Sequence, residues 1–187
     1  MILPPILLRG RLLGWLAAVL LAGGIARAAG PKPGEIEELR QAVPARLESF
    51  QKADSTLAAR LQAAAGYVIF PRIGKGGFVV GGARGQGLVY EGGRAVGSAT
   101  LSQVTVGAQI GGQSYAQLIL FEDRAALERF KAAKFEMSAQ VSAVVAAEGQ
   151  ARAARYEQGL LVFTQPLKGL MAEASVGGQK FVYSTLP

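Results

Sequence analysis

Residues 65–87 read AGYVIFPRIGKGGFVVGGARGQG, and the pattern in this stretch decides the fold class. Short runs of aromatic and β-branched residues, such as 67–70, alternate with single and paired glycines. Runs of this kind bounded by glycine are typical of β-strands and turns. The pattern continues to Phe121, and glycines within strands indicate bends or close approach of two backbones. The sequence therefore predicts a curved, glycine-rich antiparallel sheet or partial barrel.

The strands are expected to be short and separated by tight turns. In the glycine-rich region they are predicted at 67–70, 78–80, 87–90, 95–101, 104–110 and 114–121. Glu91-Gly92-Gly93-Arg94 predicts a hairpin turn. Alternation over 137–145 favours another strand, although the alanines there leave a helix open. Residues 148–157 are predicted to be a polar loop, followed by strands at 160–164, 170–176 and 180–183.

Two helical segments are predicted to pack on this sheet. Apolar residues between 35 and 65 recur at helical spacing and form one stripe, and Gly66 is a natural stop. Pro44 is expected to kink or break this helix near Val43, or to begin a second helix. Asp123 is a suitable N-cap for a short helix that extends to Lys134. The predicted class is α+β, with an N-terminal helical segment and a short helix packed on the sheet.

The first residues have the order of a secretory signal peptide. Arg9 and Arg11 precede a short apolar run, and Ala26-Arg27-Ala28 supplies the small residues that a signal peptidase requires. Cleavage after Ala28 is the favoured interpretation, and an uncleaved anchor is the alternative. We therefore expect a signal peptide at 1–28, a linker at 29–34 and a single domain at 35–187. An exported protein of the periplasm or cell envelope follows from this organisation.

The composition removes most familiar kinds of active site. The 187 residues include no cysteine and no histidine, so thiolate nucleophiles, disulfides and Cys/His metal sites are absent. The glycine-rich stretch lacks the spacing of a nucleotide-binding loop. The formal charge of +7 falls to about +4 without the leader, which is too mild for a nucleic-acid-binding protein. We predict no enzyme activity, no metal, no cofactor and no nucleotide or nucleic-acid partner.

Three ordered blocks of this sequence resemble the SYLF domain family. The first is 65–87, the second is Val106-Gly107-Ala108-Gln109-Ile110-Gly111-Gly112-Gln113-Ser114, and the third is Lys168-Gly169-Leu170-Met171-Ala172-Glu173-Ala174-Ser175. The resemblance extends over about residues 35–184, with Met171 and Glu173 as departures from the family pattern. The motif residues are Gly66, Tyr67, Phe70, Pro71, Gly74, Lys75, Gly76, Gly77, Gly81, Gly82, Gly85, Gly107, Gln109, Gly111, Gly112, Lys168 and Gly169.

The resemblance implies a lipid-binding domain without catalytic activity. Eukaryotic members of the family bind phosphoinositides, and fungal members bind actin filaments. Those members are cytosolic and carry further modules, whereas this chain has a leader and resembles exported, single-domain bacterial members. The expected partner is therefore the surface of an anionic phospholipid membrane. The alternative is a structural or interaction protein of the envelope that self-assembles, or binds another protein, through its glycine-rich sheet.

Five basic residues are the candidates for contact with lipid headgroups. Arginine and lysine on turns between glycines can bind phosphate, the former through its planar fork and the latter as a point charge. The candidates are Arg72, Lys75, Arg84, Arg94 and Lys168. Lys180 would join them if the ends of the sheet were adjacent. The alternative is that these are solvated turn charges that bind nothing.

Overall fold

The computed structural model describes residues 31–77, 80–106, 113–132, 135–137, 141–168 and 178–186. It confirms the predicted α+β class, with helices packed on one curled sheet. The helices are α1 (Pro33–Ala53), α2 (Leu57–Ala63), α3 (Arg124–Lys131) and α4 (Gln150–Ala153). The strands are β1 (Gly66–Gly77), β2 (Val80–Glu91), β3 (Arg94–Val106), β4 (Gln113–Phe121), β5 (Phe135–Glu136), β6 (Ala143–Val145), β7 (Leu160–Lys168) and β8 (Lys180–Thr185).

The strands follow the order β5-β8-β3-β2-β1-β4-β7-β6 and curl into a half-barrel. All the described pairs are antiparallel except β6 with β7, which is parallel, so the sheet is mixed rather than purely antiparallel. A bulge in β1 contributes to the curl, because Ile69 pairs with Leu88 while Arg72 pairs with Gln86. Phe70 and Pro71 therefore lie opposite Gly87 alone. Proline suits this position because the extra residue of a bulge does not donate an N–H to the neighbouring strand, and proline has no N–H to donate.

The two faces of the sheet carry separate hydrophobic cores. Alternation along β4 shows the division: Ile119 and Phe121 face the concave inner side, and Leu118 and Leu120 face the outer side. On the inner side, strands distant in the sheet meet, and the rings of Phe70 and Phe181 lie 5.8 Å apart between centroids. On the outer side, α1 covers part of the sheet with Leu39, Val43 and Phe50. Both faces of the sheet are therefore partly covered. Because alternate residues of β4 point to opposite faces, both sets are buried, and the strand is largely apolar along its length.

The strands are longer and fewer than the sequence predicts in the glycine-rich region. The predicted strand 67–70 extends to Gly77, and 87–90 is the last part of β2. Strand β3 is continuous from Arg94 to Val106, where two strands were expected, because Ser102 and Gln103 alternate faces without interrupting the ladder. Among the other predicted strands, 137–145 is reduced to Ala143–Val145 in the described residues, while 160–164 extends to Lys168. Residues 78–79, 107–110 and 170–176 lie outside the described residues.

The helices differ from prediction at their boundaries. Helix α1 passes through Pro44, because packing of Leu39, Val43 and Phe50 holds it on both sides of the proline; the break comes at Asp54 instead. The N-cap role of Asp123 is confirmed, since its Oδ1 accepts a hydrogen bond from the N–H of Ala126 at 2.7 Å. Helix α3 ends at Lys131 rather than Lys134. The predicted polar loop at 148–157 contains the short helix α4.

Antiparallel pairing places the ends of six strands beside one another, including the glycine-containing ends of β1 and β2. Lys75 pairs with Gln113, Ser114 with Lys168, and Ser102 with Lys180. We call this end of the half-barrel the glycine-rich end. The opposite end carries the turn Gly92–Gly93, whose residues both have positive φ as the predicted hairpin requires, together with helix α3.

Candidate functional site

Three residues line up across the outer face near the glycine-rich end. Arg84 pairs with Ser102, and Ser102 pairs with Lys180. Directly opposed residues in antiparallel strands point to the same side of the sheet. All three side chains are exposed. Arg72 is also exposed and lies in the next row, where it pairs with Gln86. We call the three basic residues Arg72, Arg84 and Lys180 together the basic row, although Arg72 belongs to the adjacent set of lateral pairs.

An apolar side chain projects beside the basic row. Val104 lies two residues beyond Ser102 on the same face, and 76% of it is exposed. Its lateral partner is Gly82, which in turn pairs with Gly76. Because glycine has no side chain, neither Gly82 nor Gly76 covers the valine. The face thus combines fixed positive charge with a protruding hydrocarbon group at its end.

Among the described residues, two carboxylates near the basic row, those of Glu35 and Glu136, both have partners. The Glu35 carboxylate accepts hydrogen bonds from the backbone N–H of Lys32 at 2.6 Å and from Nε2 of Gln86 at 3.3 Å. These hydrogen bonds, with a smaller contribution from the charge of Arg84, hold the pKa of Glu35 below its usual value. Glu136 lies 3.7 Å from Nζ of Lys180 in an exposed pair. Exposed pairs of this kind are weak, so the positive charge of Lys180 stays available.

The structure separates the five predicted headgroup residues. Arg72 and Arg84 share the outer face. Lys75 points to the inner face, because it alternates with Gly74 and follows Ile73, which belongs to the inner core. Arg94 lies at the far end of the sheet, beside the Gly92–Gly93 turn. Lys168 lies across the sheet in the lateral row of Gly74 and Ser114, and only its backbone is described. The motif residues Gly107, Gln109, Gly111, Gly112 and Gly169 are outside the described residues.

Sequence reasoning missed Val104 and left the position of Lys180 open. Lys180 is 96 positions from Arg84 in the chain, and only the pairing of β3 with both strands brings them together. Val104 was assigned to a separate strand, which concealed its alternation with Ser102. The polar residue at 102 and the apolar residue at 104 share one face, and that irregularity in the pattern was the available signal.

The inside of the half-barrel contains a buried polar network. Gln117 and Gln179 exchange side-chain hydrogen bonds of 2.9 and 3.1 Å, and Nε2 of Gln179 also donates to the hydroxyl of Tyr115 at 3.2 Å. Burial raises the pKa of Tyr115 to about 12, so this phenol is neutral. The network links β4 to the residue before β8 across the concave side. The network gives hydrogen-bond partners to buried polar groups, which would be costly to leave unpaired. We therefore assign it a structural role.

The described residues contain no cluster of three His, Cys, Asp or Glu side chains that could hold a metal ion. Within the same part of the chain, no helix has the length and apolar character needed to cross a bilayer. The geometry offers a face of positive charge with an exposed apolar group, on one strand-paired sheet. Such a face is suited to contact another surface, and the class of protein that it defines is a β-rich binding domain.

The family model described as "Las17-binding protein actin regulator", Ysc84, matches residues 102–185, from the middle of β3 to the end of β8. This is the SYLF family, a family of binding domains, and the match confirms the resemblance over these residues, which include the second and third sequence blocks. The chain is also similar to Beta cell expansion factor A of Aeromonas veronii, with 35% identity over 74 residues. That alignment covers 40% of this chain and 28% of the relative, so the chain spans a minor part of that protein.

Proposed function

We propose that this protein is a non-enzymatic domain that binds the surface of anionic phospholipid membranes through the basic row and Val104. The observation that carries the proposal is the lateral alignment of Arg84 and Lys180 on an exposed face, with Arg72 in the next row and Val104 beyond them. Basic groups near an anionic surface each contribute about 1 kcal/mol. A valine that enters the boundary between headgroups and acyl chains adds a hydrophobic contribution.

The orientation follows from these positions. The glycine-rich end approaches the bilayer, Val104 inserts at the boundary, and Arg84 and Lys180 contact phosphates. Helix α1 begins beside Gln86, at the rear of this surface, where Glu35 is held by its two hydrogen bonds. Because the side chains of the basic row are exposed, we expect the surface to select for negative charge rather than for one particular headgroup. Phosphatidylglycerol and cardiolipin provide that charge.

Wild-type protein should sediment with phosphatidylglycerol vesicles at low salt and much less with phosphatidylcholine vesicles. Replacing Arg72, Arg84 and Lys180 together by glutamine should lower the partition coefficient on the order of 100-fold, since three contributions of about 1 kcal/mol are lost. Raising the ionic strength should weaken wild-type binding, because salt screens exposed charges. Co-sedimentation across a salt series measures both effects.

A second triple variant controls for net charge. Arg94, Arg152 and Arg155 are exposed. Their replacement by glutamine lowers the net charge by the same amount, three, but at positions away from the basic row. This variant should bind more tightly than the first. If the two variants lose equal affinity, the assignment of the basic row is wrong. If wild-type protein ignores anionic vesicles at low salt, the lipid proposal itself is wrong.

A protein partner is the second candidate, and the description of the matched family, which refers to a protein target, favours it. The same exposed face would then contact another protein of the envelope or a second copy of this chain. Gel filtration at low and high salt, with and without phosphatidylglycerol vesicles, distinguishes the two. A salt-sensitive oligomer that forms without lipid, and that vesicles do not dissociate, would support the protein partner.

We propose that the protein acts after export and cleavage of residues 1–28. The Ala26-Arg27-Ala28 sequence supports this proposal, since it has the small residues of a signal peptidase site. Protein recovered from the cell envelope should begin at Ala29 when its intact mass is measured. Retention of Met1 in most molecules would contradict cleavage and would favour an uncleaved anchor.

A further inference from the structure

A groove of about 380 Å³ lies between α1, α2 and the ends of β1 and β2, at the end of the sheet opposite the basic row. Leu47, Ala58 and Leu61 provide aliphatic surface. Tyr67 and Tyr90 provide aromatic surface, since they are cross-strand partners whose rings stack with centroids 4.9 Å apart and planes 8° apart. The volume is within the range of small-molecule sites, which is about 300–1,000 Å³.

The backbone around the aromatic pair is fixed by close packing. A Cβ atom on Gly66 would lie 2.6 Å from the carbonyl oxygen of Tyr90 and 3.1 Å from Cδ2 of Leu127. Only glycine therefore allows β1 to approach β2 closely at the residue before Tyr67. This approach places the two tyrosine rings in contact and presents a preformed aromatic surface to the groove. A preformed surface lowers the entropic cost of binding.

Polar groups without protein partners surround this apolar surface. Gln51 and Gln62 line the groove, and within the described part of the chain neither side-chain amide forms a hydrogen bond; the same holds for the hydroxyls of Tyr67 and Tyr90. Burial raises the pKa of both tyrosines, which keeps them protonated and able to donate. The groove thus offers hydrogen-bonding groups of both kinds at its edge.

Among the described residues, none of those that line the groove has a charged side chain. The charge of Arg40 reaches the Tyr90 hydroxyl from outside this lining, but a charged ligand would still lose hydration against uncharged walls, which is costly. The lining is also mainly apolar, which disfavours a sugar ring with its many hydroxyls. Aromatic rings prefer other aromatic rings in stacked or edge-to-face geometry, and the tyrosine pair offers both. We propose that this groove binds one small, uncharged aromatic compound that has a single hydrogen-bonding edge.

Three probes test this class on the unaltered protein: indole, 1-hexanol and methyl β-glucoside. Backbone amide shifts of the ¹⁵N-labelled protein are followed during each titration. Indole should produce saturable shifts of residues around Tyr67 and Tyr90, with a dissociation constant of about 1 mM, as expected for so small a ligand. The other two probes should bind at least several-fold more weakly. Equal or tighter binding of hexanol or the glucoside, or no saturable effect of indole, would overturn the proposal.

Two isomeric variants localise the site. Ala58→Leu fills the groove from α2, whereas Ala59→Leu adds the same side chain to the neighbouring position of that helix, outside the groove lining. Leucine keeps a high helix propensity, so both variants should fold. Ala58→Leu should raise the dissociation constant for indole at least tenfold, and Ala59→Leu should leave it unchanged. Unchanged binding to a folded Ala58→Leu variant would place indole elsewhere and refute the assignment.

Discussion

Gly87→Ala should lower the free energy of unfolding by about 3 kcal/mol or more, which is among the largest effects expected for one methyl group in this protein. The added Cβ would lie 2.4 Å from the carbonyl oxygen of Ile69 and 2.8 Å from Cδ1 of Phe70. Both atoms belong to the bulged part of β1, where Phe70 and Pro71 oppose Gly87 alone. The backbone of a paired strand cannot move aside without breaking its hydrogen bonds to β2 or β4.

Gly74→Ala is the matched control for this prediction. Gly74 is also a strand glycine near the bulge, but a Cβ there would have no neighbour within 4 Å. Its substitution should change stability by no more than about 0.5 kcal/mol. Urea denaturation of both variants, with the midpoint and slope fitted together, measures the difference. Equal midpoints would show that the glycine requirement in this sheet is not steric.

The glycine pattern predicted the curvature of the sheet but not the role of each glycine. Gly66 and Gly85, both motif residues, would place a Cβ 2.6 Å from a neighbouring atom, whereas Gly74 and Gly76, also motif residues, face open space. A Cβ added at Gly87 would have one of the closest contacts, yet Gly87 was not among the motif residues. The difference depends on which strand lies opposite, and strand register across a bulge is not a local property of the sequence.

The sequence likewise predicted only part of the candidate surface. The positive bias of the glycine-rich region pointed to Arg72 and Arg84, which do share a face. Lys75 is only three positions from Arg72, yet it points to the opposite side of the sheet. The addition of Lys180 required the pairing of β3 with β8, which joins segments distant in the chain. Side chains that meet through such non-local pairing cannot be grouped by sequence spacing alone.

Helix α4 is a further case in which tertiary contacts override the local sequence. Residues 148–157 have the composition of a loop, and α4 is only four residues long. Its two ends are held by oppositely charged side chains from the α1–α2 segment. Oδ2 of Asp54 accepts the N–H of Ala151 at 2.6 Å, and Arg60 donates to the carbonyl oxygens of Ala151, Arg152 and Ala154 at 3.1–3.2 Å. Each charge opposes the partial charge of the helix end that it contacts.

Asp54→Ala should destabilise the protein by about 3 kcal/mol. Asp54 is 1% exposed, and its other carboxylate oxygen accepts both the N–H and the hydroxyl of Thr56, at 3.0 and 2.6 Å. Removal of the carboxylate leaves the buried N–H of Ala151 without an acceptor and frees α4 from the α1–α2 junction. Thr56→Val, which replaces the hydroxyl with a methyl group and keeps the backbone N–H, should cost about 1 kcal/mol. Urea denaturation at pH 7 measures both variants against wild type.

The destabilisation by Asp54→Ala should also depend on pH. Burial opposes ionisation of Asp54, but hydrogen bonds from Ala151 and Thr56 outweigh it, so the pKa of Asp54 lies below its usual value. A carboxyl with a lowered pKa in the folded state stabilises fully above its unfolded pKa, which is about 4, and the contribution is lost as the pH falls through the folded pKa. The difference in unfolding free energy between wild type and the variant should therefore be constant from pH 6 to 8 and shrink below about pH 4. Taking the difference between the unfolding free energies of wild type and variant at each pH cancels the contributions of the other carboxylates that titrate in this range. A difference as large at pH 3 as at pH 7 would mean that the shape of Asp54, and not its charge, holds α4 in place.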